Sequence, residues 1–110
     1  MSNTSVTGNA TVRKKALGRA PEEKHFILKD GRKLSTLYEL VDELETMSDK
    51  AYKEYLAPGV NHFANWVNDV FESEDLAGEL KQVEGRIEAK KAVFNHLLKE
   101  LGKLVNNKGN

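Results

Sequence analysis

The chain has no cysteine, no net charge and no apolar run longer than a few residues. The first absence excludes disulfide frameworks, thiolate metal sites and thiol nucleophiles. The third excludes a transmembrane helix, which needs about 20 predominantly apolar residues. The N-terminal stretch "MSNTSVTGNATVRKKALGRA" carries its charges after a polar segment, with no apolar signal region behind them. The expectation is a cytoplasmic protein with no membrane partner. Gly8, Gly18 and Gly31 lie too far apart to build a phosphate-binding loop. At 110 residues the chain suits one domain, large enough to bury a core without staples.

The zero total hides a segregation of charge. Residues 1–24 hold five Lys/Arg against two Glu, residues 25–83 hold six against twelve acidic residues, and residues 84–110 hold six against three. The middle is acidic and both ends are basic. Such ends can fold back onto the acidic middle, can solubilise the chain, or can meet an anionic partner such as RNA.

Residues 1–20 have few large apolar side chains and many Ser, Thr, Asn and Gly, so they are expected as a disordered basic tail. The domain is expected over 21–106, with 107–110 a frayed end. "KHFIL" followed by "KDGR" and "KL" predicts a strand or small hairpin turning at Asp30-Gly31. Four to five helices should follow, giving a mainly α fold. Thr36 and Glu39 have capping-box spacing at the head of a helix over 36–47, whose stripe is Leu37, Leu40, Val41 and Leu44. Ser48 and Asp49 restart the chain into a short helix carrying Tyr52 and Tyr55, and "APGV" stops it. Asn61 caps a third helix over 62–72, Ser73 opens a fourth, and Gly85 breaks it from the longest pattern, "RIEAKKAVFNHLLKELGKLV".

"NHFANWVNDVF" is the most patterned stretch. Phe63, Trp66, Val67, Val70 and Phe71 share a helix face, with Trp66 expected near the core centre, whereas Asn65, Asn68 and Glu72 fall on another face. Asn61 is explained by capping. Asparagine is otherwise a poor helix residue, so Asn65, Asn68 and Glu72 are the candidate protein-binding residues. The carboxylates Glu39, Asp42, Glu43 and Glu45 alternate with an apolar stripe as a solvated face does, and Ser35, Ser48 and Ser73 read as caps. No catalytic, cofactor-binding or metal-ligating residue is expected: His62, Asn65 and Asp69 make a poor ligand row, and His25 and His96 sit on distant segments.

On the last helix Ile87, Phe94, Leu97, Leu101 and Leu104 approximate heptad a and d positions, with Lys90 interrupting the seam and Leu98 and Val105 widening it. A face so broad suits packing on the domain, with docking against a second copy as the competing reading.

From Phe26 to about Val83 the chain resembles a family of small domains of unknown function found in archaea and bacteria. The shared landmarks are the strand ending in Asp30-Gly31, the leucine-rich helix "LSTLYELVDELETMSD", the block "NHFANWVNDVF" and the acidic turn into "LAGEL". The resemblance implies an α-rich module and no assigned reaction. The functional expectation is a non-enzymatic protein-interaction or self-association module. Its alternatives are a small RNA- or ribosome-associated protein using Arg13, Lys14, Lys15, Arg19, Lys90 and Lys91, and an enzyme whose site the sequence does not display.

Overall fold

A computed structural model describes residues 15–109. After 3-10 turns at Lys15–Leu17 and Glu22–Lys24, β1 (Phe26–Ile27) and β2 (Lys33–Leu34) form an antiparallel hairpin that pairs Phe26 with Leu34. Gly31 turns it at φ 94°, a left-handed conformation that favours glycine. Helix α1 (Leu37–Thr46) starts at the expected capping box. Thr36 Oγ1 accepts from Glu39 N at 3.1 Å, and Glu39 Oε1 accepts from Thr36 N at 3.1 Å. Ser48 caps the short α2 (Asp49–Lys53) by accepting from Ala51 N.

A second hairpin follows where the sequence predicts a plain stop. Strands β3 (Leu56–Ala57) and β4 (Val60–Asn61) pair across Ala57-Pro58-Gly59-Val60. Proline presets φ at the second position, and Gly59 at φ 77° supplies the left-handed third position, the signature of a type II turn. Asn61 then works twice: its Oδ1 accepts from Ala64 N to cap α3 (His62–Phe71), and its Nδ2 donates to Leu80 O in α4 (Glu74–Gln82). Helix α5 (Arg86–Gly109) completes five helices among the described residues. The mainly α architecture, with its N-terminal hairpin and long last helix, is as expected.

The core is organised around rings. Phe63 is fully buried, with Phe26, Tyr52 and Tyr55 at centroid distances of 5.0, 5.8 and 4.9 Å. Trp66 lies at the edge of this cluster rather than at its centre, between Phe26 and Phe71 in edge-to-face contacts at 5.6 and 5.1 Å. The indole is placed there because its N–H needs an acceptor when buried, and Nε1 donates to Lys24 O at 2.7 Å. Tyr55 Oη accepts from Lys29 N at 3.0 Å and ties the first hairpin to the same cluster.

Two boundaries and one buried side chain differ from expectation. The fold reaches back to residue 15: Ala16 and Ala20 are buried, and Ala20 N donates to Ser35 O at 2.7 Å. Small side chains let that backbone approach the core closely, which average composition does not register. Arg13 and Lys14, with the rest of residues 1–14, lie outside the described residues. At the other end α5 continues through Gly109, past the expected limit at 106, since extending an existing helix costs far less than nucleating one.

The third difference is on α1. Glu43, expected on a solvated face, is buried, and Arg32 holds it with two parallel hydrogen bonds, Nη1 to Oε1 at 2.9 Å and Nη2 to Oε2 at 2.7 Å. Helix spacing put Glu43 beside Leu40 and Leu44. Only the arrival of the first hairpin over that face buries it and supplies the partner.

Candidate functional site

The surface that stands out is on α5, and polar contacts at its start set which face it shows. Arg86 Nη1 donates to Leu44 O at 2.6 Å and Glu45 O at 3.2 Å, satisfying carbonyls at the end of α1 that have no helical partner. Its Nε pairs with Asp49 Oδ1 at 2.9 Å, and one turn on, Lys90 Nζ pairs with Glu45 Oε1. The basic start of α5 therefore neutralises part of the acidic middle within one chain, the first of the readings open to the charge segregation.

With Arg86 and Lys90 directed at α1, the residues packed inward are Ala89, Ala92, Val93 and Leu97. The two alanines allow close helix approach. Roughly 130° around the axis, at 3.6 residues per turn, lies a second apolar stripe that nothing among the described residues covers. Ile87, Phe94, Leu98, Leu101 and Val105 are 37, 50, 51, 40 and 67% exposed. Six of the eight aromatic residues join the core cluster, and the remaining two, Tyr38 on α1 and Phe94 on α5, are both exposed.

This corrects the expected assignment of the last helix. Leu97, expected in the seam, packs inward, whereas Leu98 and Val105, expected to widen it, belong to the exposed stripe. The residue interrupting the exposed stripe is Lys91, not Lys90. Two overlapping apolar sets run along this helix, and periodicity alone could not say which one the domain would take.

The candidate amide surface on α3 divides between two clefts. Asn65, exposed, faces a cleft of about 390 Å³ beside the second hairpin, lined by Val60, Leu80 and Val83. Asn68 and Glu72, both exposed, line another of about 640 Å³ with Ser73, Glu74, Asp75, His96 and Glu100. The three residues thus line two different clefts. Glu72 caps α3 in the left-handed conformation at φ 54°, with its N–H donating to Asn68 O.

The acidic character of the larger cleft has structural causes. Glu74 and Asp75 occupy the first turn of α4, where the helix dipole favours negative charge, and Glu100 pairs with Lys103 at 3.1 Å. Among the described residues no group of three His, Asp or Glu side chains is arranged to hold a metal ion. Of the six basic candidates, Arg19 donates to Ser35 Oγ, Lys90 is paired with Glu45, and Lys91 is exposed. Lys15 begins the first 3-10 turn.

Burial lowers the pKa of His96, an effect that Glu100 and Asp75 oppose and that Lys99 and Lys103 reinforce. Its Nε2 is enclosed without a hydrogen-bond partner among the described residues. The folded state resists a proton that the unfolded chain accepts near the ordinary histidine value of 6.5, so stability is complete above that pH and falls as the pH drops below it toward the folded pKa. Glu39 contributes in a separate window: hydrogen bonds from Ser35 lower its pKa, so its share is lost only below the ordinary glutamate value of 4.5. His96→Gln is expected to flatten the melting temperature between pH 7.5 and 5.5 while leaving the decline below pH 4.5. An unchanged profile in the variant would mean that His96 titrates alike in both states.

Comparison with family models, with curated proteins and with solved structures gives no match for this chain. Among the described residues no helix is long and apolar enough to cross a membrane.

Proposed function

We propose that this protein is a non-enzymatic protein-interaction module that engages an amphipathic helix through the exposed stripe of α5. The observation that carries the reading is the stripe itself: five large apolar side chains in line on a helix whose opposite face is fully used by the domain. Exposed apolar side chains scattered singly are ordinary, but a contiguous set of about 500 Å² is at the upper end for a monomer and marks interaction surfaces. A helical partner fits because, with Lys91 filling the one gap, the residues recur at the alternating three- and four-residue steps that two packed helices present to each other.

The RNA- or ribosome-associated alternative draws less support, since Arg19 and Lys90 already donate within the fold. The two readings differ in salt dependence: phosphate contacts weaken steeply as salt rises, whereas apolar docking does not. Phe94→Asp/Leu98→Asp is expected to keep the melting temperature within a few degrees, because both positions are half exposed. Immobilised wild-type protein should retain its protein partners from nuclease-treated lysate at high salt, and the double variant should lose them. Equal capture by both proteins, or release of the partners by nuclease, would overturn the reading.

A further inference from the structure

We infer that the helix docked on this stripe is the α5 of a second copy of the chain, lying antiparallel; the inference rests on the α5 stripe being the docking face. Ile87, Lys91, Phe94, Leu98, Leu101 and Val105 are spaced by four, three, four, three and four residues, an unbroken run of alternating heptad d and a positions. Of the six, the five apolar members are the exposed ones described above, and Lys91 is exposed with them.

The stripe is self-complementary in one antiparallel register. Setting Phe94 against Leu98 of the second copy places Ile87 against its Val105 and Lys91 against its Leu101, and the two-fold axis repeats each layer. Every apolar residue of the stripe then has a partner. Each Lys91 lays its methylene stem along a leucine and carries its ammonium to the rim. A parallel pair would instead stack Lys91 on its own counterpart inside the seam, where two like charges repel with little water to screen them. Lys91 thus sets the orientation. On the open edge Asn95, also exposed, meets the Asn95 of the second copy next to the axis, where two amides can each donate and accept.

The dimensions agree with a homodimer. At roughly 100 Å² for each exposed side chain, the stripe supplies about 500 Å² per copy and about 1,000 Å² for the pair, the threshold for a specific interface. Fewer than three heptads would be marginal for free peptides. Here α5 is already folded and fixed by Arg86 and Lys90, so association orders no helix.

The absence of native cysteine makes disulfide trapping a clean test. Ile87→Cys and Val105→Cys are prepared as separate full-length variants and mixed under oxidising exchange. The mixture is expected to give a mixed disulfide dimer, whereas neither variant alone does, because in the antiparallel pair the two copies of residue 87 stand roughly 27 Å apart at 1.5 Å per residue. A dimer cross-linked through Ile87→Cys alone would overturn the orientation. Absence of any cross-link, with a dimer shown by light scattering, would overturn the register. Wild-type protein that stays monomeric at about 100 µM, where a Kd of about 10 µM or tighter populates the dimer, would overturn the second copy as partner. That last failure leaves the docking face intact if Phe94→Asp/Leu98→Asp still loses its heterologous partners, so the two readings fail separately. Lys91→Leu is expected to tighten self-association at least ~10-fold by filling the remaining polar layer, and weaker association in that variant would count against the seam.

Discussion

Phe63→Ala is expected to cost about 3–5 kcal/mol, the range for removing a large aromatic side chain from a core. The loss is high because Phe63 contacts three other rings at once, from β1, from α2 and from the segment just before β3, so the cavity it leaves cannot be closed by moving one neighbour. A domain of this size has total stability of about 5–15 kcal/mol, and each kcal/mol is worth several degrees, so the melting temperature should fall by roughly 20 °C. Trp66→Ala is expected to be severe as well, since it removes the indole from between Phe26 and Phe71 and leaves Lys24 O without its donor. Trp66→Phe should be milder, because a ring remains between the same neighbours. Thermal melts followed by circular dichroism rank the three, and a Phe63→Ala protein melting with the wild type would mean that the ring cluster is not the core.

Arg32→Ala is expected to destabilise the fold, by less than the loss of Phe63 does. It strands the Glu43 carboxylate, only 10% exposed, without the guanidinium that satisfies both of its oxygens. The effect stays below that for a fully buried pair because Arg32 is itself 61% exposed, so water can reach part of the vacated space. The informative comparison is Arg32→Met/Glu43→Leu, which removes both charges and fills the site with apolar atoms. It should recover most of the loss, as a buried pair often gains little over apolar packing once neither charge remains. A denaturant series on the single and double variants gives the coupling directly. Additive losses, with no recovery, would mean that Arg32 and Glu43 act independently.

The two expectations differ in how far they were legible beforehand. Phe63 could be assigned to the core from its place in "NHFANWVNDVF", because an amphipathic helix buries whichever face holds the large rings. The Arg32 and Glu43 pair could not. Eleven residues separate them, and nothing in the helix pattern distinguishes Glu43 from Asp42 or Glu45 until the first hairpin lies over one and leaves the others in water. The second hairpin falls between these cases. Its Pro58-Gly59 pair is a recognisable turn signal, but strands two residues long offer no alternation to read.

The sequence by itself determined the elements: the capped starts of α1, α2 and α3, the turn at Asp30-Gly31 and the burial of Phe63, Trp66 and Phe71. These follow from interactions between residues a few positions apart, through side-chain hydrogen bonds to nearby backbone and through helical period. The tertiary structure alone decided the faces. It divided Asn65 from Asn68 and Glu72 between two clefts, buried Glu43, and turned α5 so that Leu97 went inward and Phe94, Leu98 and Leu101 stayed in water. That choice was closed to the sequence because the helix carries two apolar sets, and the domain takes the one with the smaller side chains. The contacts of Arg86 and Lys90 with α1, about forty residues away in the chain, settle the rotation.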